Sequence, residues 1–239
     1  MKSESDASSE ASEDTTILPH DITPERAEGW PAVFPVPTFA LQICAEFQRI
    51  ANINLKKHFY AELDRHAPRL QSLFRKKAAR KGKVAEGLDQ RFSSYDLQEQ
   101  GDVHVLRAAV LRALPAYLHE DDSRFLKPWH VAQSDEPDID DMAVGLLLIS
   151  AKSENNSLCC PERIAVVLEG NRVFELPQLA EAFILLYALI YALNLSYPKD
   201  LANTFDFTQK VLMGQDDRKL RPRVLSLKMS FWPGSDLTL

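Results

Sequence analysis

From Phe39 to Leu114 the apolar residues of this chain recur at helical spacing. Phe39, Ile43, Phe47 and Ile50 form one stripe. Leu55, Phe59 and Leu63 form a second, opened by Asn54, a residue suited to the N-cap because its side chain accepts from an otherwise unpaired amide. Pro68 separates this stripe from a short one holding Leu70, Leu73 and Phe74, since proline lacks the N–H that an interior helical position requires. Val84, Leu88 and Phe92 continue weakly. A stronger helix follows Asp102, with Val103, Leu106, Val110 and Leu114 facing inward and Pro115 breaking or kinking it.

At Ala143 the period changes. Ala143–Ser150 is a short continuous apolar run, and Ile164–Glu169 is another, rich in β-branched residues. Gly170-Asn171 supplies a turn and Arg172–Glu175 returns, which predicts a hairpin. Twelve consecutive apolar residues follow, Ala182–Leu193, bounded by Glu181 and Asn194. A membrane span needs about 18 or more such residues, whereas about 10–14 is the length of a buried core helix. Pro177 suits its first turn. Tyr187 and Tyr191, four residues apart, share a face that reaches the rim of the core. Pro198 ends this helix and opens a second, striped by Leu201, Thr204, Phe205, Thr208, Val211 and Leu212 and capped by Gly214. The pair reads as a helical hairpin, one helix enclosed and the other half exposed. Tyr197, Asn203 and Gln209 either support it through caps and hydrogen bonds or form a polar recognition edge. Val224, Leu227 and Phe231 mark a final docking helix within Leu220–Trp232.

The predicted fold is therefore α+β and predominantly helical: a small antiparallel sheet packed against a C-terminal helical hairpin and the preceding helices. The expected organisation is an acidic tail over 1–18, a proline-rich strap over 19–38, a helical region over 39–134, and the sheet with its hairpin over 135–239. The tail carries Glu4, Asp6, Glu10, Glu13 and Asp14 against Lys2 alone, with Ser3, Ser5, Ser8, Ser9 and Ser12 among them, and lacks the apolar surface that would offset ordering entropy. The strap has Pro19, Pro24, Pro31, Pro35 and Pro37, with Trp30, Val33, Phe34 and Val36 to dock it along the domain or against a partner.

Composition changes this picture little. Of 239 residues, 45% are hydrophobic and 26% charged, ordinary values for a folded domain. The net charge of −6 argues against general nucleic-acid coating but not against a local basic patch. Cys44, Cys159 and Cys160 are an odd set without a spaced framework, which favours a reducing compartment. With no secretory or transit signature and no run long enough to span a bilayer, the expectation is a soluble intracellular protein, nuclear or cytoplasmic.

Candidate chemistry is sparse. The most concentrated charge lies in Arg75, Lys76, Lys77, Arg80, Lys81 and Lys83, six basic residues in nine. Such a run serves as a phosphate contact or an import signal, or simply complements the dipole at a helix C-terminus. No aromatic residue interrupts it, so a stacking platform is not indicated. His119-Glu-Asp-Asp122 lacks the i, i+4 histidines of a zinc helix and reads as a turn with Ser123 as the next N-cap. Asp135–Asp141 lacks the glycine and spacing of a calcium loop and reads as an exposed linker. Cys44 or Cys159 would need His58, His66 or His104 to converge on it before nucleophilic catalysis was possible. Catalytic, cofactor-binding and metal residues are therefore expected to be none.

Several stretches in order resemble a known family: Phe34–Phe39, Asn52–Lys77, Ala113–Asp122, Asp135–Ser150, Ile164–Glu175 and, most tellingly, Tyr187–Gly214. They are similar to the large, fish-expanded set of proteins related to the C-terminal region of sterile alpha motif domain-containing protein 3. The chain shows no sterile alpha motif itself, so polymerisation through that module is not implied. The resemblance carries no catalytic motif, and the family's abundance in fish genomes implies a mobile-element origin. The expected function is a non-enzymatic protein-interaction domain with a protein partner. The alternative is a nucleic-acid-associated protein using residues 75–83.

Overall fold

A computed structural model describes residues 36–96, 101–132, 137–150, 161–215 and 219–231. The acidic tail, nearly all of the strap, and Cys159 and Cys160 lie outside the described residues.

The helical stripes become α1 (Val36–Ala51), α2 (Leu55–Ala78), α3 (Lys83–Asp96) and α4 (Val103–Tyr117). Asn54 caps α2 by accepting from the Lys57 amide at 3.1 Å, and Asp102 caps α4 by accepting from the His104 amide at 2.7 Å. Pro68 does not divide the second stripe: α2 runs through it. Pro68 lies on the exposed side, and its missing N–H leaves only the Asp64 carbonyl without its helical donor. On the other side Leu63, His66, Ala67 and Leu70 are all buried, and their packing on both flanks outweighs that loss. Pro115 likewise falls inside α4, two residues from its end. Val103 and Ile50, expected to face inward, are 41% and 42% exposed.

The sheet has four strands in the order β1 (Leu126–His130), β2 (Val144–Ser150), β3 (Arg163–Leu168), β4 (Asn171–Leu176). It is mixed rather than wholly antiparallel: β1 runs parallel to β2, with Leu126 opposite Leu146 and His130 opposite Ser150. No helix starts at Ser123; its amide donates to Asp121 Oδ1 in a short turn that leads into β1. The β3–β4 turn falls one residue earlier than expected, with Glu169 (φ 50°) and Gly170 (φ 72°) both in the left-handed region. Two such residues give the turn whose twist matches a hairpin. All seven residues of β2 are buried because both faces are covered. Leu146 and Leu148 join the main core on one face; Leu147 and Ile149 pack with Ile139, Met142 and Trp129 on the other.

The twelve-residue apolar run forms most of α5 (Leu179–Ala192), and no residue from Ala182 to Ile190 is more than 5% exposed. Pro177 lies just before the helix rather than in its first turn, and Tyr191, Ala192 and Leu193 are half-buried. α5 packs on α1, α2 and α4 and on the inner face of β2, β3 and β4. Among the described residues no helix is long and apolar enough to cross a membrane.

The second hairpin helix enters through a 3₁₀ turn, Lys199–Leu201, continues as α6 (Ala202–Phe207) and widens into a π-turn over Thr208–Leu212. The Met213 amide donates five residues back to the Thr208 carbonyl, while the Thr208 hydroxyl and amide both reach the Thr204 carbonyl. Such side-chain competition bends helices. This element is more enclosed than half: every residue from Thr204 to Thr208 is buried. Gly214 closes it at φ 63°. α7 (Pro222–Phe231) docks through Val224, Leu227 and Phe231, as the sequence indicates.

Glu120 fixes the start of α6. Its carboxylate accepts from the amide and side-chain nitrogen of Asn203 and from the amide and hydroxyl of Thr204, the last at 2.7 Å. Glu120→Ala leaves four donors unmatched in a half-buried position. It should lower stability by about 2–3 kcal/mol. Urea denaturation checks this as a fall in midpoint without a change in slope.

Candidate functional site

The six cations of the basic run sit at the C-terminal end of α2 and the start of α3. They do not act as one group. Arg75 is committed: its guanidinium forms a two-pronged pair with Asp96 on α3 and lies 4.9 Å from the centroid of Phe92 and 5.8 Å from that of Tyr95. Lys76, Arg80, Lys81 and Lys83 are exposed and Lys77 is half-buried, and among the described residues none of these five makes an ion pair. Lys76 and Lys77 lie in the last turn of α2, where positive charge complements the negative end of the helix dipole. Lys83 comes close enough to Asp121 to help hold that carboxyl below its usual range, together with Arg124 and, chiefly, the hydrogen bonds from Ser123. The basic end of the helical layer therefore extends to the corner that follows α4.

The four side chains of His119–Asp122 go to separate places. His119 is exposed at φ 61°, Glu120 caps α6, and Asp122 pairs with Arg91 at 2.6 Å. Asp121 faces a cleft. That cleft has a volume of about 430 Å³ and lies between the start of β2 and the corner joining α5 to α6. Its lining includes the buried side chains of Phe125, Met142, Val144 and Leu201. Tyr197 forms part of the wall, its ring stacked 4.8 Å from that of Phe205 and its hydroxyl donating to Gln209 Oε1 at 3.2 Å. Burial pushes the Tyr197 phenol up to about 12, so it stays neutral at physiological pH. Arg124, Lys199 and Asp200 also line the cleft, are exposed, and make no ion pair among the described residues.

The polar edge considered from sequence thus splits. Asn203 and Gln209 are spent on Glu120 and Tyr197, which is the supporting role, while Tyr197 also borders an open space. Asp138 and Asp141, from the acidic linker, are exposed and pair with Lys127 at 3.0 and 3.5 Å.

A second groove, about 560 Å³, runs between α1, the start of α2 and the end of β4. Cys44 lines it beside Lys56 and Glu181, which pair at 2.6 Å. Burial raises the Cys44 thiol above its ordinary value. No histidine lines this groove. His66 is buried against Phe231, His104 lies exposed at the start of α4, and His58 stands near Gly214. The structure does not bring Cys44 together with any of the three. Among the described residues no three His, Cys, Asp or Glu side chains gather as metal ligands.

The cleft was not visible in the sequence, because its lining comes from stretches as far apart as Asp121 and Leu201. The one local signal was Pro198 followed by Lys199-Asp200, a charged pair at a helix break.

The chain matches no protein-family model, and comparison with curated proteins and with solved structures finds no significant match.

The split within the basic run is measurable. Arg75→Gln removes an ion pair and two ring contacts and should cost about 0.5–1.5 kcal/mol, the discount reflecting its partial exposure. Lys81→Gln and Lys83→Gln should change stability by less than about 0.5 kcal/mol. Denaturation of the three variants checks this difference.

Proposed function

We propose that this chain is a non-enzymatic protein-interaction domain whose partner inserts an apolar side chain into the cleft beneath Pro198. The observation that carries the reading is the combination there of an apolar lining with three charges, Arg124, Lys199 and Asp200, that form no ion pair among the described residues. Charges left unpaired at a rim give orientation and partner choice, while the apolar part supplies affinity. On the strength of the ordered stretches alone, we place it beside the set related to the C-terminal region of sterile alpha motif domain-containing protein 3. The reading takes the protein to be intracellular.

The double variant Lys199→Glu/Asp200→Lys reverses exposed charges without touching the core. Proximity labelling in cells should enrich a reproducible set of partners with the wild type and lose it with the variant, at equal thermal stability. An identical partner set from both would remove the cleft from consideration.

A second reading has its own observation. Five cations from the end of α2 to the start of α3, without ion pairs among the described residues, form a surface that could contact phosphates. Each phosphate contact contributes about 0.9 to the slope of log affinity against log salt. Neutralising Lys76, Lys77, Arg80, Lys81 and Lys83 should flatten that slope by roughly 4 for duplex DNA, while Arg75→Gln should leave it nearly unchanged. No retention of DNA or RNA by the wild type at low salt would end this reading.

A further inference from the structure

The described fold begins at Val36, and the residues before it carry an uneven share of the charge. Residues 1–16 hold five carboxylates and one lysine, so −4 of the protein's formal −6 resides there. The folded part is left close to neutral, with its densest positive surface at Lys76, Lys77, Arg80, Lys81 and Lys83. Among the described residues none of these five forms an ion pair, and only Lys83 stands near a carboxylate, that of Asp121, whereas Arg75 beside them is paired with Asp96.

We propose that the acidic segment 1–16 docks on this basic end and competes there with other polyanions. Three features support it. The charges are complementary, five carboxylates against five cations that form no ion pair among the described residues. The reach is sufficient: residues 17–35 extend up to about 60 Å at about 3.3 Å per residue, longer than the roughly 36 Å of α2 itself at 1.5 Å per residue. The target is also open, since four of the five cations are exposed. An association of this kind needs no fixed geometry, because exposed charges attract over a Debye length of about 8–10 Å at moderate salt. Phosphate added to any of Ser3, Ser5, Ser8, Ser9 or Ser12 would deepen the attraction by about 1.5–2 charges.

The contact can be read without any ligand, so its failure is distinct from failure of either functional reading. Carbodiimide joins carboxylates to amines only where they touch. Treated at low salt, the full chain should give cross-links from Glu4, Asp6, Glu10, Glu13 or Asp14 to Lys76, Lys77, Lys81 or Lys83, and these should disappear at high salt. Cross-links absent, or spread equally over exposed lysines such as Lys57, Lys199 and Lys219, would overturn the proposal. A second arm measures competition on immobilised heparin as a generic polyanion. Converting the five tail acids to their amides in the full chain should strengthen retention at least fivefold. The same conversion should do nothing once Lys76, Lys77, Arg80, Lys81 and Lys83 are glutamine. An equal gain in both backgrounds would show general charge reduction rather than docking, and would also overturn it.

Discussion

The enclosure of α5 sets the terms for everything around it. A helix with no polar side cannot rest on a sheet and leave its far face to water. Here the sheet covers one side, and α1, α2 and α4 cover the others. Aromatic contacts join α5 to three neighbouring helices: Phe47 of α1 against Tyr191 at 5.1 Å, Phe59 of α2 against Phe183 at 6.4 Å, and Phe205 of α6 against Phe183 at 5.9 Å. The polar atoms that α5 cannot avoid are met at its margins. Glu181, in the first turn where the helix dipole favours a carboxylate, pairs with Lys56, and the deeply placed Tyr187 hydroxyl donates to Gln215 Oε1 at 2.6 Å. Burial pushes the Tyr187 phenol upward, which keeps it a donor.

That enclosure also produces the cleft. The chain leaves α5 through Asn194 at φ 53° and must turn back sharply so that α6 can cover the adjoining core. The corner Ser196–Asp200 stands away from the start of β2, and the space between them is the cleft. Glu120 holds the far wall by binding the first amides of α6, and Asp122 two residues on holds α3 through Arg91. A run of consecutive acids that resembles a ligand set in sequence is thus a bracket between three elements. Its members diverge as neighbouring positions in a turn do, and each carboxylate answers a different donor.

The one-sided stripes were legible because each records a single exposed and a single buried face. The enclosed helix was legible for the opposite reason, since it has no polar side to conceal. What escaped was decided by partners distant in sequence. β1 reads Leu-Lys-Pro-Trp-His, with one aliphatic residue and a proline that a central strand would not accommodate. It is a strand because it occupies the sheet edge, beside a β2 whose own backbone needs a neighbour. Pro68 misled because the rule against interior proline weighs about 3 kcal/mol, while the buried residues flanking it on α2 bring a larger contribution between them. The basic run was correctly located, yet nothing in it set Arg75 apart. That distinction needed Asp96, Phe92 and Tyr95, all supplied by α3.

The same division between local and summed quantities governs the electrostatics. A net charge of −6 describes an acidic protein, but most of that excess belongs to residues 1–16. Over the folded part the two signs nearly cancel, and the cancellation is not uniform. Several carboxylates on and beside the helices are consumed in pairs, such as Asp64 with Arg107, Asp96 with Arg75 and, at the corner after α4, Asp122 with Arg91. These pairs tie helix to helix or helix to corner. The cations that follow Arg75 have no such duty. Asp121 offsets part of the charge of Lys83, while the potential of Lys76, Lys77, Arg80 and Lys81 is screened mainly by salt, and an anion that reaches the end of α2 meets it there.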